Sequence, residues 1–301
     1  MSQNTPPRWL PFVVLGIGLI AISFGAILAR VAQGHGLPSL AIAALRLGLA
    51  ALIITPFALW QSRRVLLAIS RRQVALALGA GFFLALHFAT WISSLEYTSV
   101  ASSTALVTTN LLWIGVASFV LFGDRPGRVM ACGIVISLAG SLLIFWSDSR
   151  TSTQGSNPFL GNFLALVGSW CFSAYLLIGR RLRADMPLPA YIWLAYGAGA
   201  LFLLLGCAGA GVSLAGYTVP AYLAALGMAL GPQLLGHSAY NWSLKHVSPT
   251  FVAVVTLGEP VGSAVLAWVF FAESFASLQA AGFVMLLAGI YLAAVGEVRR
   301  S

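Results

Sequence analysis

Apolar stretches of roughly twenty residues recur along the whole chain, separated by short polar connections. About twenty consecutive apolar residues cross the hydrocarbon core of a bilayer as a helix. The pattern predicts ten such spans, at residues 9–32, 38–60, 73–95, 100–122, 127–147, 158–179, 187–209, 219–244, 249–271 and 277–296. The chain thus reads as an all-α membrane protein with ten transmembrane helices and the lipid bilayer as its solvent. The first stretch follows a single arginine, Arg8, without a small-residue cleavage site, so it is expected to be a retained helix and not a signal peptide.

Composition agrees with the pattern. Hydrophobic residues make up 59% of the chain and charged residues 8%, against about 25% charged in soluble domains. The net charge of +9 does not point to nucleic acid, because the basic residues sit in short loops. Thirteen of the sixteen fall on one side: Arg8, Arg63, Arg64, Arg71, Arg72, Arg125, Arg128, Arg180, Arg181, Arg183, Lys245, Arg299 and Arg300. Arg30 and Arg150 lie on the other side, and Arg46 lies inside the second span. Basic loops stay cytoplasmic, so both termini are expected in the cytoplasm, which requires an even number of spans. A location in the cytoplasmic (inner) membrane follows. Cys132, Cys171 and Cys207 sit in apolar spans without paired spacing, which argues against a disulfide framework or a zinc site.

Shifted by 149 positions, residues 94–143 overlie 243–292 without a gap. Ser94 meets Ser243, Phe122 meets Phe271, Gly133 meets Gly282, and "LAG" at 138–140 meets "LAG" at 287–289. Asp124 meets Glu273, placing a carboxylate at a span end in each half. Two repeats are expected, 9–147 and 158–296, with five spans each. Five is odd, so the second repeat enters the membrane from the opposite side. Inverted repeats of this kind build transporters whose substrate site lies near the midplane.

The run "GEPVGSAVLAWVFFAES" from Gly258 resembles the E-P plus g-E pattern of the EamA-type exporters in the drug/metabolite transporter superfamily. The first half departs from that pattern: Asn110-Leu111 stands at the polar-Pro pair and Gly123-Asp124 at Gly-Glu. "NLLW" at 110–113 is similar to a stretch in aromatic amino acid exporters of the YddG type. The resemblance covers nearly the whole chain and implies two five-helix halves around a central cavity, with transport by alternating access.

Polar residues recur at helical spacing, three and four apart. The third span presents Phe83, His87, Trp91 and Ser94, and the eighth presents Gln233, His237, Tyr240 and Asn241. The fourth offers Asn110 and Trp113, and the sixth Ser169 and Ser173 with Trp170 beside them. The ninth carries Glu259 on a face with Thr256 and Ser263. Any single Ser, Thr, Trp or Tyr could be accounted for by packing or interhelical hydrogen bonds. Stripes on five spans need a common polar place to face, because unsatisfied polar groups in lipid cost several kcal/mol. A substrate-binding cavity formed by His87, Trp91, Asn110, Trp113, Trp170, Gln233, His237, Tyr240, Asn241 and Glu259 is therefore expected.

Glu259 precedes Pro260, which has no N–H, so the carbonyl of Thr256 loses its helical donor. The carboxyl group could stabilise that kink, contact a cationic substrate group, or exchange a proton. Intramembrane ionisable residues are functional candidates by default. His87 and His237 have no carboxylate or cysteine at ligand spacing, so no metal is expected. No nucleophile–base motif or nucleotide loop is present, so neither an enzyme nor a cofactor is expected.

The preferred function is export of a small amphipathic substrate, aromatic or other apolar amino acids foremost, by a monomer. A multidrug or organic-cation exporter using Glu259 as counter-charge is the alternative. An intramembrane enzyme is the remote one.

Overall fold

A computed structural model of the chain describes residues 7, 9–98, 100–123, 125–151, 156–271 and 277–299. Arg8, Asp124, Glu273 and Arg300, which enter the orientation and repeat arguments above, lie outside the described residues. All the regular structure described is helical. The order is α1 (Leu10–Gly34), α2 (Ser39–Leu67), α3 (Arg71–Tyr97), α4 (Val100–Val107), α5 (Asn110–Phe122), α6 (Arg128–Thr151), α7 (Pro158–Asp185) and α8 (Leu188–Gly209). Then come α9 (Val219–Met228), a π-helical segment (Ala229–His237), α10 (Ser238–Ser243), α11 (Pro249–Thr256), α12 (Glu259–Phe271) and α13 (Ser277–Val298).

Seven helical stretches among the described residues are long and apolar enough to cross a membrane: α1, α2, α3, α7, α8, the continuous run Val219–Ser243, and Pro249–Phe270. Shorter apolar helical stretches occupy Arg128–Gly140 and Ala280–Ala293. Several helices outrun their apolar cores. Helix α2 continues to Leu67 and α7 to Asp185, because no Gly or Pro stops them and Arg and Leu are good helix formers. Local chemistry sets the starts. Ser70 and Gln73 form a capping box at α3, and the Asn157 side chain accepts the Leu160 N–H at 3.2 Å to open α7.

Two expected spans are broken. Residues 249–271 divide at Leu257–Gly258, where Leu257 N–H donates to Val254 and Gly258 N–H to Val255, a tightened turn directly before Pro260. Proline disfavours helical geometry in the residue before it, and its ring leaves an upstream carbonyl unpaired. The span expected to be continuous over 100–122 is broken too, at Thr108–Thr109, without a proline. Here the Thr108 hydroxyl donates to Thr104 O at 2.9 Å and the Thr109 hydroxyl to Leu106 O at 2.6 Å, competing with the backbone ladder. Pro232 lies inside the π segment.

The helix starts keep the register seen in the sequence. Ser39, Val100, Asn110 and Arg128 open helices 149 residues before Leu188, Pro249, Glu259 and Ser277. Packing partners change places by the same offset. Helix α3 lies along α7, while α1 lies along α9 and the π segment; α5 contacts α7, while α12 contacts α1. Helices α2 and α8 pack against each other, as do α6 and α13.

The α6–α13 contact is the closest of these. A Cβ on Gly133 would lie 2.6 Å from both Ala293 N and Gly289 O, and one on Gly140 2.6 Å from Leu286 N. Backbone thus meets backbone, as small residues allow in membranes. Gly133→Ala should therefore lower the thermal midpoint in detergent, by an overpacking cost of about 1–3 kcal/mol. Gly48 in α2 has nothing within 4 Å of its added Cβ, so Gly48→Ala should leave the midpoint unchanged or raise it by the equivalent of about 0.5–1 kcal/mol. Equal midpoints for the two variants would contradict this packing.

Candidate functional site

Both helix breaks turn toward one enclosed cavity. Val107, Thr108 and Asn110 reach it from the first break, Thr256 and Glu259 from the second. Helix α3 contributes His87, Phe88 and Trp91; α7 contributes Phe172; the π segment and α10 contribute His237 and Tyr240; α2 contributes Arg46 and α1 Ile22. The space open to the centre of a water molecule is about 20 Å³, which is room for roughly one water. The cavity is closed around its polar groups in this conformation.

Each break puts a polar residue first in the helix that follows it: Asn110 opens α5 and Glu259 opens α12. The first N–H groups of a helix lack intrahelical partners and favour an acceptor or a negative charge. The two residues occupy equivalent repeat positions, 149 apart, yet only one is ionisable. The halves touch here: the Thr256 hydroxyl lies 3.2 Å from the Asn110 amide oxygen.

Arg46 is the residue whose role the sequence reading missed. It is 1% exposed. Its Nε donates to Gln233 Oε1 at 2.8 Å, and its Cζ sits 3.9 Å from the centre of the Phe88 ring and 6.0 Å from that of Trp91. Gly25 lets α1 pass beside it: a Cβ there would stand 3.3 Å from Trp91 and 3.9 Å from Arg46 Nη1. Arg46 and Glu259 lie in each other's field without forming an ion pair. The repeat position equivalent to Arg46 is Ala195. The cation thus comes from one half and the carboxyl group from the other.

The aromatic groups form one cluster. His87 stacks on Phe172 with centroids 4.8 Å apart and lies parallel to Trp91 at 6.1 Å. His237 packs edge-on against Phe88 and Phe172. His87 Nδ1 contacts Gly168 O at 3.0 Å, and a carbonyl only accepts, so Nδ1 carries the hydrogen. The two histidine rings are 6.2 Å apart, and no group of three His, Cys, Asp or Glu gathers among the described residues.

Of the ten residues expected to form the site, His87, Trp91, Asn110, His237, Tyr240 and Glu259 line the cavity together. Gln233 stands behind Arg46 as its hydrogen-bond acceptor. Asn241 lies further back, bonded to the Tyr175 hydroxyl, while Arg183 Nε donates to its carbonyl at 3.1 Å. Trp113 and Trp170 do not join them. They are 40% and 42% exposed and pack edge to face on each other with centroids 5.6 Å apart. At about 100° per residue, i+3 lies about 60° behind i, whereas i+4 lies about 40° ahead. The buried arc of α5 runs ahead, over Leu111 and Ile114, and leaves Trp113 outside. Trp170 follows the buried Ser169 directly and so lies about 100° further round α7, on the exposed side.

Several buried polar atoms in and beside the cavity have no hydrogen-bond partner among the described residues: Trp91 Nε1, Gln233 Nε2, His237 Nδ1, the Tyr240 hydroxyl and one end of the Asn110 amide. Buried polar groups are ordinarily paired, so this concentration makes the cavity the candidate site.

The sequence pattern of the EamA-like transporter family matches twice, over residues 3–146 and 159–295. A probable amino-acid metabolite efflux pump of Salmonella typhimurium is 24% identical, covering 97% of this chain and 95% of its own length. The threonine/homoserine exporter RhtA of the same organism is 27% identical, covering 98% and 94%. A WAT1-related protein of Arabidopsis thaliana is 24% identical over 60% of this chain, and the match spans only 56% of the plant protein's length. A protein known from its crystal structure shares the fold, with a TM-score of 0.79 at 18% identity over 98% of this chain and 100% of that one. With an apolar helical bundle closed around a polar cavity and a family match in each half, the chain is a multi-pass membrane protein that belongs to the EamA-like transporter family.

Proposed function

We propose that the chain is a secondary transporter that exports small amphipathic metabolites, aromatic or other apolar amino acids foremost, by alternating access. The two repeats, 9–147 and 158–296, would form ten transmembrane helices in inverted arrangement around the cavity, in the cytoplasmic membrane with both termini in the cytoplasm. The register of the helix starts, the exchange of packing partners and the double family match support two related halves. Five helices per half, with basic loops on one side, support the inversion. The names of two relatives, an amino-acid metabolite efflux pump and a threonine/homoserine exporter, support an amino acid substrate.

One observation carries the reading: a cavity walled by Phe88, Trp91, Phe172 and Tyr240 that also holds Arg46, Asn110 and Glu259. Aromatic walls take an apolar side chain, and the polar groups fix the other end. Room for one water corresponds to a closed state, so substrate would enter when the half-helices part. The broken helices and the π segment supply places for that movement. An organic-cation exporter fits less well, because Arg46 would repel the cargo.

Uptake of labelled phenylalanine into proteoliposomes, with and without a pH gradient, tests the proposal. Trp91→Ala and Tyr240→Ala should each slow uptake by about tenfold or more, the effect of losing one large apolar contact. Trp113→Ala and Trp170→Ala, on the outer surface, should transport within about twofold of the parent protein, as surface changes usually do little. Equal losses in all four variants at matched expression would sink the cavity assignment.

A further inference from the structure

We propose that the cavity recognises a zwitterion by its two ends, with Arg46 taking the carboxylate and Glu259 the ammonium group. The inference rests on the transport reading above and names the substrate chemistry of that same site.

Arg46 uses one of its five N–H donors within the protein, the Nε–H given to Gln233. Its terminal nitrogens make no hydrogen bond with the described residues. Gln233 and the Phe88 ring hold the guanidinium from behind and leave the fork free. A fork of this kind matches a carboxylate in bidentate geometry. Nearby groups press the same way. Arginine has no acceptor, so Gln233 must turn its oxygen to Arg46, which leaves its Nε2–H₂ as a buried donor without a partner. The indole N–H of Trp91, also only a donor, is unpaired as well. A carboxylate, an acceptor with about four lone-pair sites, answers the two of these that line the cavity, the guanidinium fork and the Trp91 N–H.

Glu259 shows the complementary deficit. Its carboxyl group accepts no hydrogen bond from the described residues, and among them Arg46 is the only charged group acting on it. The basic and the acidic group share a cavity without closing on each other. A ligand carrying both signs fits between them, with one partner for each. A ligand of one sign leaves the other buried charge facing it unpaired, and such misfits are a main source of specificity. Because the repeat-equivalent positions are Ala195 and Asn110, the charges are not duplicated and the substrate would bind one way round. Its side chain would then meet the wall of Trp91, Phe172 and Tyr240.

The test is competition against labelled L-phenylalanine uptake in proteoliposomes by two analogues with the same ring. Phenylalaninol keeps the ammonium group and lacks the carboxylate; N-acetylphenylalanine keeps the carboxylate and lacks the ammonium. Both should compete at least about tenfold more weakly than unlabelled phenylalanine, the scale of leaving a buried charge unpaired. Arg46→Gln should erase the discrimination against phenylalaninol and keep that against N-acetylphenylalanine. Glu259→Gln should do the reverse. If either variant fails to fold, the analogue ranking in the unaltered protein still decides. An analogue that competes as well as phenylalanine overturns the zwitterion assignment while leaving transport standing. No uptake of phenylalanine or any other amino acid overturns the transport reading and this inference with it.

Discussion

A guanidinium and a carboxyl group are buried together in a bundle that is otherwise apolar. Each such ion carries an effective desolvation penalty of several kcal/mol unless charge and hydrogen bonds compensate it. Arg46 is compensated by Gln233 from the π segment, by the face of Phe88 from α3, and by the field of Glu259. These supports come from three different elements and both halves of the chain. Because a guanidinium stays charged, the halves must meet where Arg46 is. The cavity, its aromatic wall and the two helix breaks are arranged around that point.

The rest of the bundle divides into a tightly packed part and an interrupted part. Helices α6 and α13 meet backbone to backbone through Gly133, Gly140 and Gly289, a contact with no slack. Three of the elements that line the cavity are interrupted: α4–α5 at two threonines, α11–α12 before Pro260, and α9–α10 by a π segment containing Pro232. Non-helical backbone at membrane depth is tolerated where it is buried in protein or lines a cavity, and these interruptions satisfy that condition.

The architecture was largely readable from the chain because lipid allows few solutions: apolar runs of spanning length become helices, and a 149-residue offset shows in the sequence itself. The break before Pro260 had a chemical marker; its counterpart at Thr108–Thr109 had none, since hydroxyls bonding back to carbonyls leave no distinctive residue pattern. Glu259, His87, His237, Trp91 and Tyr240 showed as polar or aromatic groups on stripes. Arg46 did not, because its helix neighbours are Ala and Leu and its partner Gln233 is 187 residues away. A lone arginine within an apolar span was itself the available signal. Trp113 followed a stripe by spacing and Trp170 lay beside one, but both fell outside the buried arc.

The central claim is that Arg46 and Glu259 support each other across the cavity. A double-mutant cycle on thermal stability in detergent, without substrate, measures this directly. The account predicts that Arg46→Gln and Glu259→Gln each destabilise the protein, and that the double variant loses less than the two effects together. Residues in one network couple by about 0.5–3 kcal/mol. Strict additivity would contradict the account, because it would mean that the two charges do not feel each other.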